Sequence, residues 1–574
     1  MIRTHQIIRV GLSLSLAFLT VGSPAAAADT KALITGDFDI GGRAVSVSGS
    51  KDKFSEYRDI SNGFMFNDMR LRLENESKPY YMDLRIQNAT RDDASYGIKS
   101  GAYGKWTFAA SFDRTPHNFN TGTLILSGAG TGKQSIANAV QTNLQASEQT
   151  RQERGGVALT DTTGEDAQQQ AIIRNLLSVT DPTSFKLERE RATVNMGYNV
   201  TPEVKTWVKV SQERRDGARV IGAGTYERYA QGAAGLTHTE DQFVVTGLEL
   251  AEPINYRTTT FNAGGGIYKK GWLVDAEYTL TDFDNGFRSF AWSNPFRTTD
   301  LGAKSAAGAD NNAYDRGRFV NGQMSLAPSS QSHDVSLSGS VELPMHSRLT
   351  GNVSYGMTDQ NELLVPYTLN SGLASIAGAP ANVTDAAALP VSRFNGAIRT
   401  FTQSFALTTK PTEKLGASLK YRYYDYSNRS DKVLFPGYAA FGESYWRTVK
   451  NDKNAAVQND TPSYVRQTAK LAVDYEIAHP LALEVDALWD RYNHQQQRID
   501  STDEVGAGAG FVYKPVEMAR VHGAYHYAHR AVKKYKAGAT AANDGTGCST
   551  APAARSARST SPTCDVQGWG ARTA

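Results

Sequence analysis

Cysteine is nearly absent: the 574-residue chain holds two, Cys548 and Cys564, so residues 29 to 547 contain none. That excludes a disulfide scaffold, and because Ser549-Thr550 and Asp565-Val566 follow the two cysteines, no C-x-x-C-H site for covalent haem attachment exists. An excess of one charge is missing as well, with 61 Lys plus Arg against 58 Asp plus Glu. A strongly basic nucleic-acid binder and an acidic tail protein are therefore not the default readings. No window after the N-terminus offers the roughly 20 apolar residues of a helical membrane span, which excludes an inner-membrane helical protein. No G-x-S-x-G elbow is present, and Gly264-Gly265-Gly266 lies inside an alternating segment where small residues allow bending or close packing. The expectation is a protein that is not an enzyme, with no catalytic, cofactor-binding or metal-binding residue of its own.

What is present begins with Arg3 and Arg9 ahead of an apolar run from Val10 to Val21, then Ser23, Pro24 and Ala25 to Ala28. This reads as a secretory signal peptide, residues 1–28, with an A-x-A type cleavage site after Ala28, or alternatively after Ala27. Residues 29–35 follow as a short periplasmic segment. Beyond them the dominant signal is strict alternation, the side-chain period of a strand. Trp272, Val274, Ala276, Tyr278 and Leu280 share one face against Asp275, Glu277, Thr279 and Thr281. Leu481, Leu483, Val485, Ala487 and Trp489 face away from Glu484, Asp486 and Asp490 in the same manner.

These runs are about twice the five or six residues of a soluble sandwich strand and suit the 9 to 11 tilted residues that cross a bilayer. Short turns are expected at Thr201-Pro202-Glu203, Lys269-Lys270-Gly271, Leu343-Pro344-Met345, Lys410-Pro411-Thr412, His479-Pro480 and Lys514-Pro515. The first five recur at roughly seventy-residue intervals, and long Gly, Ala, Ser, Thr and Asn-rich segments lie between them. The fold expected is all-β: a transmembrane antiparallel up-and-down β-barrel over residues 36–536, with short periplasmic turns, long external loops and about 17 strands. In the longest gap, Glu165 to Val179 is expected to form a short helix, and the weakly alternating Arg316 to Leu326 is assigned to a loop. An odd strand number does not suit an antiparallel barrel. Residues 537–574, a low-complexity tail, are accordingly expected to reflect a truncated or frame-shifted end, leaving the barrel C-terminally incomplete.

Lys420 and Arg422, with Asp474, Glu484 and Asp486, are expected to face a polar lumen, and Tyr421, Tyr423 and Tyr424 to form part of an interfacial aromatic girdle. His522 and His526 share the spacing of the lumenal face, and lumen lining is preferred over metal ligation because no Cys or clear carboxylate pairing accompanies them. His117 reads as a turn residue at a strand end.

Several stretches resemble the MtrB/PioB family of outer-membrane barrels, the porin partners of multihaem c-type cytochromes. The run Gly36 to Arg43, GDFDIGGR, with Asp39, Gly41, Gly42 and Arg43, is similar to the family's opening, as are Tyr57 and Arg58 after it. Asp113 through Pro116, His117, Asn118 and Phe119 resembles a family strand end, and Asn294-Pro295-Phe296, Pro328, Pro344, Pro366 and Tyr367 fit the middle of the pattern. Tyr421 to Asn428 resembles a later strand. The C-x-x-C pair that some members carry near the mature N-terminus has no counterpart here. The resemblance implies an integral protein of the cell outer membrane, in contact with lipid and not nucleic acid. It implies a sheath for a periplasmic multihaem c-type cytochrome with no cofactor of its own, the haem being carried by that partner, and an outer-surface cytochrome as a further partner. Electron transfer across the membrane, in extracellular electron transfer or metal oxidation and reduction, is the expected function. A general or specific solute porin and a surface scaffold barrel are the alternatives.

Overall fold

The computed structural model describes residues 10–16, 32–75, 78–153, 165–227, 244–298, 320–371, 382–435, 457–495, 499–516 and 518–535. The tail from 537, both cysteines and most of the leader lie outside the described residues.

Alternating sequence becomes one antiparallel sheet of 18 strands. Its strands are β1 (Ala32–Arg43), β2 (Gly63–Asn75), β3 (Tyr80–Ala89), β4 (Ser95–Ala102), β5 (Trp106–Gly122), β6 (Thr183–Asn199), β7 (Val204–Glu227), β8 (Val244–Lys269) and β9 (Trp272–Asn285). They continue as β10 (Ser330–Leu343), β11 (Ser347–Leu363), β12 (Arg393–Thr412), β13 (Leu415–Asn428), β14 (Ser463–Ala478), β15 (Leu481–Gln495), β16 (Ile499–Val516) and β17 (Ala519–Tyr535). Each pairs with the next in chain order. The eighteenth strand is Val10–Leu16, within the expected leader, which lies against β1 with Val10 opposite Gly42 and Leu16 opposite Gly36. Strands β1 and β17 run in the same direction, from the short-turn end to the long-connection end, and among the described residues no pairing joins them.

The short turns fall where proline and glycine direct them, with two shifts. Pro411 and Pro515 belong to β12 and β16 and not to the turns themselves; each sits at a register shift, between Thr409 and Thr412 and between Tyr513 and Val516. A bulge releases one residue from the ladder, so the missing N–H leaves no acceptor stranded. After Pro344, Met345 and His346 both take positive φ, 60° and 50°, the left-handed pair that a tight hairpin twist demands.

Register carries the apolar side chains onto one face. Leu407, Leu419, Leu471, Ala487, Ala507 and Tyr527 form a continuous row across six strands. On this face Leu337 and Val485 are 52% and 55% exposed, an exposure of contiguous aliphatics that a bilayer covers. The apolar stretch of several strands ends at a charged position. Arg114 meets Glu190 at 2.8 Å, Arg257 meets Asp284 at 3.1 Å, Arg399 meets Asp359 at 2.8 Å and Lys533 meets Asp503 at 2.6 Å. All lie on the outward face toward the long connections, just past Tyr278, Tyr355, Phe401 and Trp489, so aromatics and then ion pairs mark the edge of the hydrocarbon. Leu337→Arg is expected to destabilise the protein by about 2–4 kcal/mol and Ser336→Arg, on the opposite face, by about zero. Urea unfolding in lipid vesicles measures both, and equal effects would contradict this assignment of faces.

Past the ion pairs, β5, β7 and β8 continue outward and carry a cap. Helix α1 is Lys51–Phe54, α2 is Asn138–Glu153 and α3 is Glu165–Val179, the last with the bounds its sequence predicts. A small sheet joins Lys133–Gln134, Ser289–Ser293 and Asn321–Ser325. The weak alternation before Leu326 is thus a strand of the cap and not of the membrane sheet. Leu126, Leu144, Leu248, Leu250, Phe290 and Trp292 form the cap core, with Ile172, Ile173 and Leu176 of α3 packed against it. Because β9 pairs β8 only from Tyr256, the outer part of β8 has an open edge. Gln134, fully buried, closes it: its Nε2 donates to Ala251 O at 2.8 Å and its Oε1 accepts from Ala251 N at 3.1 Å. The long segment after β5 therefore packs at the outer end, beyond the ion pairs.

Candidate functional site

The inward face of the sheet is polar over the height at which the outward face is apolar. Its charges are sorted by level. Near the short turns Asp474 stands directly opposite Glu484, with His522 Nε2 at 3.4 Å from Glu484 and His526 Nδ1 at 3.2 Å from Asp486. The histidines thus do have carboxylate partners, supplied by β15 across the intervening β16. Gly508 makes that crossing possible, since a Cβ there would collide with both His526 and Asp486. Among the described residues no group of three or more His, Cys, Asp or Glu could hold a metal ion. Similarly, Trp207 lies across Gly264 to donate its indole N–H to Glu277 at 2.9 Å, which accounts for one residue of the triple glycine.

One level outward the sign reverses. Lys420 lies directly opposite Lys470, and Arg422 neighbours them. The acids and bases that the sequence groups as lumenal do share a face, but at different heights. Tyr424 is on this inward face too, its ring tilted 51° against that of Tyr464 with centroids 5.8 Å apart, and does not join Tyr421 and Tyr423 in the outward girdle. Position parity decides it, because consecutive residues point to opposite faces.

The family-like landmarks meet at a joint at the outer end. His117 is inside β5, opposite Leu187, and not in a turn. Its ring lies 4.4 Å from that of Tyr57 and 4.0 Å from that of Phe119. Asn118 donates through its backbone N–H to Glu56 O and through Nδ2 to Ser55 O, both at 2.8 Å. Arg114 N donates to Ala94 O on the same side of the strand. Pro116 therefore falls between two ladder partners, where its lack of an N–H orphans nothing. Lys53 Nζ, at 2.6 Å from Glu56 Oε2, holds the Glu56 carboxyl below its ordinary range. Arg43 Nη1 reaches Asp59 O at 3.0 Å. Arg58 N donates to Ser55 O within the same loop. The remaining landmarks stand apart from this joint. Asp39 accepts from Asn67 at 3.1 Å and Asp113 from Ser95 at 2.6 Å. Gly41 and Gly42 lie in β1 opposite Met65 and Phe64, Pro344 opens a short turn, and Pro328 precedes β10. Tyr367, next to Pro366, is buried against Phe435 with ring centroids 6.5 Å apart. These positions do not converge on a single reaction centre.

A lipid-facing apolar surface, a polar inner surface and sheet-only crossing of the hydrocarbon define an integral outer-membrane β-barrel protein; no described helix is long and apolar enough to cross a membrane. Residues 47–554 match the family described as "outer membrane beta-barrel porin, MtrB/PioB", and the chain belongs to the MtrB/PioB family. It is 22% identical over 353 residues to the outer membrane protein MtrB of Shewanella baltica strain OS185, covering 61% of this chain and 41% of that protein. Among solved structures, the ferric-catecholate import receptor Fiu from K12 E. coli matches at a TM-score of 0.37 and 11% identity, over 93% of this chain and 66% of that one. OmpT of Vibrio cholerae matches at a TM-score of 0.25 and 8% identity, over 88% and 99%.

Proposed function

We propose that the barrel sheaths a periplasmic multihaem c-type cytochrome and supports electron transfer across the outer membrane, the haems belonging to the partner, with an outer-surface cytochrome as a second partner at the cap. The barrel supplies an insulating, lipid-embedded wall and is neither an electron carrier nor a catalyst. The observation that carries this reading is the inward face, polar through the full membrane height in a member of the MtrB/PioB family. Such a face suits the polar surface of an inserted protein. Mild-detergent purification from native outer membranes, followed by in-gel haem staining, tests it. A haem-staining polypeptide is expected to remain with the barrel. A barrel that is intact by heat-dependent gel mobility, lacks any haem protein and conducts freely in liposomes would instead be a solute porin.

A further inference from the structure

On the inward face, β11 to β17 line an open hollow of about 860 Å³. Its floor is made by small side chains on one side, Thr350, Asn352, Ser404 and Ala406, while Lys420, Arg422 and Lys470 stand on the other. The two carboxylates in it are already taken. Asp490 accepts from Arg466 Nε at 3.0 Å and Nη2 at 2.6 Å, and from Thr468 Oγ1 at 3.2 Å. Glu504 accepts from Arg530 Nε at 2.7 Å. Lys420, Arg422 and Lys470 pair with no carboxylate among the described residues.

Two ammonium groups at directly opposed positions repel, and like charges so placed weaken a sheet. Nothing in the alternation of the strands demands this, since any polar residue satisfies the inward face. A rigid rim completes the arrangement. Tyr464 stacks between Tyr426 and Tyr492, centroids 5.2 and 4.9 Å away and planes within 18° and 17°. The Arg422 guanidinium sits 5.6 Å over the Tyr424 ring, which holds the cation in place while leaving its N–H donors available.

We propose that this hollow is an anion-binding site that takes a multivalent oxyanion of the carboxylate or phosphate class, with Lys420 and Lys470 as a paired clamp and Arg422 as the third cation. The anion relieves the repulsion between the lysines and receives hydrogen bonds from all three groups. The site stands whether the lumen holds a cytochrome or solution, because the same chemistry is offered by a free polyanion or by acidic side chains on an inserted protein.

Isothermal titration of the full-length protein in detergent tests it, with two probes, inorganic pyrophosphate and a hexaglutamate peptide. Saturable binding that falls at least tenfold in K420Q/K470Q, persists in K420R/K470R and is unchanged in Lys209→Gln supports the site. Pyrophosphate binding assigns a free oxyanion as the source, and binding of the peptide alone assigns an acidic protein surface. A second readout is independent of any probe: Lys420→Glu, facing Lys470, is expected to raise the thermal midpoint while abolishing binding. Failure of both probes to bind the correctly folded protein, or binding indifferent to the lysine pair, would overturn the proposal.

Discussion

Replacing Arg219 by alanine is expected to destabilise the outer cap by about 3–5 kcal/mol, because it strands a buried carboxylate. Arg219 Nε lies 2.6 Å from Glu252 Oε2 and Nη2 lies 3.0 Å from Oε1, a bidentate pair across β7 and β8. Glu252 is only 4% exposed at its side chain, whereas Arg219 is 50% exposed. Removing the exposed partner leaves the buried one without compensation. Removing both should not: the Arg219→Met, Glu252→Met double variant is expected to be near neutral. Native-state hydrogen exchange at Leu248 to Ala251, on the open part of β8, reads the cap locally. A single variant whose protection matches the parent would show that water reaches Glu252.

Trp292→Ala is expected to cost a further large amount, again about 3–5 kcal/mol, through the cavity it leaves in the cap core. Trp292 is fully buried, with its ring 5.3 Å from that of Phe290, and its indole lies directly over Gly322 on the neighbouring short strand. A Cβ at Gly322 would collide with the indole. Gly322→Ala alone is therefore destabilising, yet in the Trp292→Ala background the added methyl enters the vacated space. The two changes are expected to combine to less than their sum, the sign of direct contact. Additive effects in a double-mutant cycle by proteolytic susceptibility would refute this packing. Since the cap is built on strand extensions and not on the membrane sheet, heat-dependent gel mobility of the barrel is expected to survive both variants.

The membrane wall was legible in the chain because two constraints coincide there. A strand has a period of two, and lipid demands that one of the two faces be apolar, so Trp272 to Leu280 and Leu481 to Trp489 announce strand, span and orientation together. Where the chain leaves the hydrocarbon the second constraint lapses. The outward extensions of β5, β7 and β8 consequently carry no such signal, and His117 reads as a turn. Helix α2 has Val140 and Leu144 as its apolar pair, with Gln and Asn between them, too few to signal a face. Tyr424 was misassigned because Tyr421, Tyr423 and Tyr424 span both parities.

By itself, then, the order of residues determined the all-β architecture, the lipid-facing row, the positions of most short turns and the family. Only the tertiary structure decided which charges meet. That Lys420 opposes Lys470, that Asp474 opposes Glu484 and that His526 reaches Asp486 over Gly508 depends on register between strands far apart in sequence. A one-residue slip would exchange every contact while leaving each strand's own alternation intact. Local pattern says which face a side chain occupies; the hydrogen-bonded ladder says what stands beside it.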